Sequence, residues 1–193
     1  HLARIEAQTV VGKIVSYDQT ARVAGWQRRA LFVADNEDSA GDFGAVSDQI
    51  VAGYTPRDLQ VVRAYLPGDA TTPATPDEIA AVRATIEDTI QSGALMVQYT
   101  GHGAVNRWTH EGIWRTLNIP ALTNDPRLPL VMTFNCLDGY FAHPSSASFS
   151  MAELMQRHAG GGSISAPRAS ARAWNSSSRN PNACLPGNRA VRN

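Results

Sequence analysis

The strongest constraint on this sequence is its alternation of short apolar runs with longer, helix-patterned stretches. Arg29–Ala34, Leu59–Leu66, Ala94–Tyr99 and Leu128–Phe134 have the length and the β-branched or aromatic content of buried strands. Between the second and third, Thr75-Pro76-Asp77-Glu78 supplies a cap, a first-position proline and first-turn acids. It predicts a helix to about Ser92 with Ile79, Val82, Ile86 and Ile90 facing inward. Ile5–Gln19 reads as a helix with Val10, Val11, Ile14, Val15 and Tyr17 on or near one face, and another helix is expected near Ser47. Asn106–Leu117 and Ser150–His158 also read as helices, Asn124-Asp125-Pro126 as a turn and Gly162–Ala166 as a fifth strand. Strand–loop–helix units of this kind predict an α/β chain with a mostly parallel sheet covered by helices.

In such sheets chemistry collects where strands end at their carboxyl edge. Ala94–Tyr99 runs into Thr100-Gly101-His102-Gly103, and Leu128–Phe134 runs into Asn135-Cys136-Leu137-Asp138-Gly139. A thiol needs a nearby base, or a depressed pKa, to supply thiolate at neutral pH. An imidazole on the neighbouring strand end meets that need and can return the proton to a leaving amine. The backbone N–H groups of Gly103 and Cys136 are the natural donors for an oxyanion hole. Each residue taken alone has a plainer reading, Cys136 as a small buried hydrophobe and His102 as a turn residue. Closing two strands of one sheet together, they favour catalysis.

Composition narrows the alternatives. At 193 residues the chain suits one globular domain. Formal net charge is zero, but residues 166–193 hold five arginines and no acid, leaving the preceding part acidic. No basic stretch interleaved with aromatics precedes that tail, which argues against a nucleic-acid partner. No apolar run approaches the length of a membrane helix. His110, His143 and His158 share no ligand spacing, so no zinc site is expected. Two cysteines, Cys136 and Cys184, are too few for a disulfide framework. A nucleotide-binding reading fails because the loop after the first strand, Asp35–Phe43, lacks Gly-x-Gly-x-x-Gly.

The segment Val97-Gln98-Tyr99-Thr100-Gly101-His102-Gly103, followed by Trp108, Leu122-Thr123-Asn124, Leu128-Pro129 and Cys136-Leu137-Asp138-Gly139-Tyr140-Phe141, resembles the signature of the gingipain family of cysteine peptidases. Upstream, Lys13-Ile14-Val15-Ser16-Tyr17, Trp26 and Val33-Ala34-Asp35 sit where that family has a helix ending in Tyr, a Trp and a strand. The resemblance implies a caspase-like three-layer α/β/α sandwich. It implies His102 as catalytic base, Cys136 as nucleophile and Gly103 as oxyanion donor. It implies Glu37 as an acid close to the catalytic His, and Asp48 as an acid in the pocket for a substrate arginine.

Two bland readings stay open beside these roles. Glu37, with Asp35, Asp38 and Asp42, equally suits a solvated acidic loop or a calcium-binding one. Asp48 equally suits the first turns of a helix. Trp108 and Trp114 read as packing residues. The resemblance further implies a cysteine endopeptidase acting through a thioester on protein or peptide substrates, outside the cell or on its surface. No cofactor is required; structural calcium in the Asp35–Asp48 loop is a candidate. The competing function is a non-catalytic or secretion-related surface module that keeps the fold. The expected organisation is a catalytic domain over 1–166, incomplete at both ends, and an irregular tail over 167–193, disordered or arising from an out-of-frame segment.

Overall fold

The computed structural model describes residues 2–20, 25–140, 150–158, 160 and 163–164. Helix α1 (Leu2–Thr20) leads through a 3-10 turn, Gly25–Arg28, into strand β1 (Arg29–Ala34), followed by α2 (Phe43–Tyr54) and β2 (Gln60–Tyr65). Helix α3 (Pro76–Ser92) precedes β3 (Met96–Thr100). Three short strands come next: β4 (Gly103–Ala104), β5 (Arg107–Trp108) and β6 (Trp114–Arg115). A 3-10 segment, Thr116–Ala121, leads to β7 (Leu130–Phe134), then α4 (Met151–Arg157) and β8 (Ser163–Ile164).

The main sheet has the order β2-β1-β3-β7-β8, and each of its pairings is parallel. Along β1, Leu31 and Val33 join one core with Val82, Ile86 and Ile90 of α3. Strand alternation sends Ala30, Phe32 and Ala34 to the other face, where α2 packs, and these are equally buried. β1 is therefore apolar throughout because it is covered on both sides. The start of α3 follows its sequence signals. Thr75 and Glu78 form a reciprocal capping box, with Pro76 in the first turn. The predicted fifth strand is present as Ser163–Ile164, beside β7.

One expectation needs correction. The stretch read as a helix over Asn106–Leu117 is instead the antiparallel β4-β5-β6 sheet entering a 3-10 turn. Positive φ at Thr109 (58°) and Gly112 (72°) is incompatible with a continuous helix and lets Trp108 pair with Trp114. Both tryptophans are fully buried, in keeping with a packing role. On α1, Val11 and Ile14 are each 58% exposed, while Val10 and Tyr17 are half-buried. The buried position is Lys13, the single lysine of the chain. Its Nζ donates to the carbonyls of Met155 (2.9 Å) and His158 (2.8 Å), satisfying carbonyls at the end of α4 that the helix itself leaves unpaired. Burial lowers its pKa to about 8, against the opposing pull of Asp125. Tyr17 meets Trp26 edge-on, centroids 6.0 Å apart, which fixes the far end of α1 to the entry of β1.

Candidate active site

The register of β3 on β7 brings the chemistry together. Thr100 pairs with Phe134, so the chains leave the sheet side by side and deliver His102 and Cys136 from adjacent strand ends. Gly101 keeps the first of these exits open, since a Cβ there would lie 2.4 Å from the Asp35 Cβ and 2.6 Å from the Tyr99 hydroxyl. Its N–H donates to the Phe134 carbonyl at 3.3 Å, which ties the two exits together.

His102 is held from four directions. Its backbone N–H donates to Asp35 Oδ2 at 3.0 Å. Its carbonyl accepts from Thr109 N–H at 3.0 Å and from the Tyr99 hydroxyl. The Phe43 ring, at the start of α2, meets the imidazole edge-on with centroids 5.2 Å apart. The imidazole Nε2 lies 2.8 Å from Asp38 Oδ2. Tyr99 is fixed in turn by stacking on Trp108, rings 4.6 Å apart and nearly parallel. Burial pushes the Asp35 carboxyl up to about 6, although the N–H groups of His102 and Asn36 pull it down.

The bond from Thr109 N–H to the His102 carbonyl also defines the β4–β5 pairing. It makes Gly103 and Trp108 a non-hydrogen-bonded pair, so the Gly103 N–H lies outside that ladder. A Cβ on Gly103 would lie 2.5 Å from Asn135 Nδ2, so a side chain there would collide with the residue preceding Cys136. On the Cys136 side, Asp138 anchors the loop. It accepts from Trp108 Nε1 at 3.2 Å and from Thr133 Oγ1 at 3.2 Å, and burial raises its pKa while those donors lower it. Cys136 itself is half-buried and disulfide-bonded. The other cysteine of the chain, Cys184, lies outside the described residues.

The structure thus draws His102, Gly103 and Cys136 to one edge of the sheet. It does not bring Glu37 to the imidazole. Glu37 is exposed and its backbone bridges to Asp69, while Asp38 makes the contact. The exchange comes from a tight reversal in which the backbones of Asp38 and Gly41 pair with each other and Asp38 Oδ1 accepts from Ala40 N–H at 2.7 Å. The Asp38-Ser-Ala-Gly41 turn was the available signal for this in the sequence. Asp48 sits exposed on α2, where its Oδ1 accepts from Arg63 Nε at 2.8 Å and from the Tyr65 hydroxyl at 3.0 Å. The Arg63 bond is the main reason its carboxyl titrates below the usual range. The other loop acids are also engaged within the chain, Asp42 capping α2 through Ala45 N–H. Among the described residues no three His, Cys, Asp or Glu side chains converge as a metal site, and no helix is long and apolar enough to cross a membrane.

Comparison with known proteins places this geometry. Gingipain R2 of Porphyromonas gingivalis is 26% identical over 149 residues, which cover 70% of this chain and 18% of that protein. Gingipain R1 of the same organism shows the same identity, over 13% of its length. The crystal structure of the Arg-specific cysteine proteinase gingipain R superposes with a TM-score of 0.51 at 24% identity, over 72% of this chain and 31% of that one. A structure described only as a protease reaches 0.62 at 16% identity, over 82% and 32%. The chain therefore spans less than a fifth of those curated relatives and about a third of the solved ones. The shared fold is the caspase-like α/β/α sandwich with a mostly parallel sheet. The family described as peptidase family C25 matches residues 3–189, reaching well into the stretch read from sequence as an irregular tail, which itself lies outside the described residues apart from its approach. With nearly its whole length matched, this chain belongs to peptidase family C25.

Proposed function

We propose that the protein is a cysteine endopeptidase in which reduced Cys136 is the nucleophile and His102 the base. The observation that carries this reading is the β3–β7 register, which sets both residues at adjacent strand ends with the imidazole held by Asp38. With Nε2 engaged by Asp38, the thiol proton is taken at Nδ1. The Cys136 sulfur attacks the scissile carbonyl, and the Gly103 and Cys136 N–H groups hold the resulting oxyanion. Collapse breaks the C–N bond, His102 gives its proton to the departing amine, and water then hydrolyses the thioester. Asp38 acts as a positioning residue, in the role the resemblance had given to Glu37.

A preference for arginine before the cleaved bond rests on Asp48 and on the description of the solved relative as Arg-specific. The carboxylate already binds a guanidinium, that of Arg63, so a substrate arginine would have to displace it. Substrates are proteins or peptides, met outside the cell or on its surface. A non-catalytic surface module remains the second reading, favoured by the disulfide at Cys136, which occupies the sulfur the reaction needs.

The test is covalent labelling. The protein, reduced with dithiothreitol, is treated with a peptidyl-arginine chloromethyl ketone at neutral pH and mapped by mass spectrometry. Labelling of Cys136 but not Cys184, abolished by His102→Ala, is the expected result. A folded, reduced protein whose Cys136 resists even small alkylating agents would leave the surface-module reading standing.

A further inference from the structure

The residue before Cys136 has no assigned task and an unusual environment. Both polar atoms of the Asn135 amide, Nδ2 and Oδ1, are buried, and neither has a hydrogen-bond partner among the described residues. Asp138 lies on the same side, and the amide partly offsets the rise that burial gives its carboxyl, but no hydrogen bond of normal geometry joins the two. A buried amide with nothing to bond is costly to keep, and such groups persist where a ligand satisfies them. The position is telling. A Cβ on Gly103 would meet Asn135 Nδ2, Cγ and Cβ within 3.0 Å, so the amide packs directly against the backbone of the Gly103 oxyanion donor. It also sits between the two strand ends that carry His102 and Cys136.

We infer that Asn135 Nδ2 is a third donor to the oxyanion. This rests on the peptidase reading above. As the Cys136 sulfur bonds to the carbonyl carbon, the C=O π pair moves onto oxygen, and that oxygen accepts from Asn135 Nδ2 together with the two backbone N–H groups. When the C–N bond breaks, the pair returns to re-form the carbonyl of the thioester and the amine leaves with the proton held by His102. A donor poised in a buried site costs no reorganisation when the charge develops, which is why its hydrogen bond is stronger in the transition state than with the ground-state carbonyl.

The experiment compares the reduced wild-type protein with Asn135→Ala and Asn135→Leu. It reads peptide hydrolysis, alkylation of Cys136 by iodoacetamide and thermal unfolding. Alkylation displaces iodide at a saturated carbon and forms no oxyanion, so it reports the thiolate alone. The inference expects kcat to fall about a hundredfold in both variants with KM nearly unchanged. It also expects an unchanged rate of alkylation and an unfolding temperature equal to or above that of wild type, since the unpaired amide is gone. Unchanged kcat would overturn it. So would a loss of kcat matched by slower alkylation or lower stability, which would make Asn135 a structural residue. A reduced wild type that neither cleaves nor is alkylated at Cys136 would instead remove the peptidase reading itself.

Discussion

Asp38 Oδ2 lies 2.8 Å from His102 Nε2, a contact made by the neighbour of Glu37. The pair is partly shielded, the imidazole side chain being 14% exposed and the carboxylate 31%. Asp38→Ala should therefore lower kcat/KM by about a hundredfold through loss of tautomer and orientation. Glu37→Ala should stay within about twofold of wild type, because its side chain reaches neither His102 nor another partner among the described residues. Steady-state kinetics on a single arginyl peptide decides between the two acids.

Cys136 must be a thiolate to act, and in this structure it is tied up in a disulfide. Hydrolysis should be absent without a reductant and appear on addition of dithiothreitol. The rise should follow the count of free thiols measured with a chromogenic disulfide reagent. Full activity in protein shown to hold no free thiol would exclude Cys136 as the nucleophile.

Asp35 links stability to pH in a direction opposite to an ordinary carboxylate. Its folded pKa, about 6, lies above its unfolded value of 3.8, chiefly through burial. Its favourable contribution is present in full below pH 3.8 and is lost as pH rises through 6. At pH 7 the charged form costs the fold at most about 3 kcal/mol. Asp35→Asn should remove that dependence, so the stability of the variant relative to wild type should increase between pH 4 and pH 6.5. Activity should nonetheless fall, because the His102 and Asn36 N–H groups bond different oxygens and an amide replaces one of these with NH2. Chemical denaturation at stepped pH, with kinetics alongside, reads both.

Arg63 and a substrate arginine would compete for the same Asp48 oxygen. The internal pair is largely exposed and correspondingly weak. Arg63→Ala should raise kcat/KM for arginyl peptides by about two- to fivefold, while Asp48→Asn should lower it. Peptides with an uncharged residue at that position should be indifferent to both changes. Equal effects on charged and uncharged peptides would detach Asp48 from substrate selection.

Gly101 is the steric hinge of the site. Gly101→Ala places a methyl against the Asp35 Cβ and the Tyr99 hydroxyl, both parts of the cradle around His102. Loss of activity with a lowered unfolding temperature is expected, as for other overpacked buried positions, at a cost of about 1–3 kcal/mol.

Much of this protein was legible along the chain. The capping box at Thr75, the doubly buried β1 and the strand ends carrying His102 and Cys136 are local patterns, set by side-chain period and by the chemistry of caps and turns. Those patterns sufficed for the sheet and for which residues follow its strand ends. They did not suffice for the β4-β5-β6 segment, where left-handed backbone at Thr109 and Gly112 overrides a helix-like run of side chains. Nor did they reveal that Lys13 of α1 turns inward to the carbonyls that end α4, 142 or more positions away. The choice of Asp38 over Glu37 was likewise beyond sequence alone, because adjacent acids in an irregular loop differ only in where the turn points them. Asn135 became visible only once burial and missing partners were known, both properties of distant segments folded against it. Periodicity and local chemistry determine the elements and which residue ends each strand. Which polar atoms meet, and which are left waiting for a partner, is decided only when the layers close.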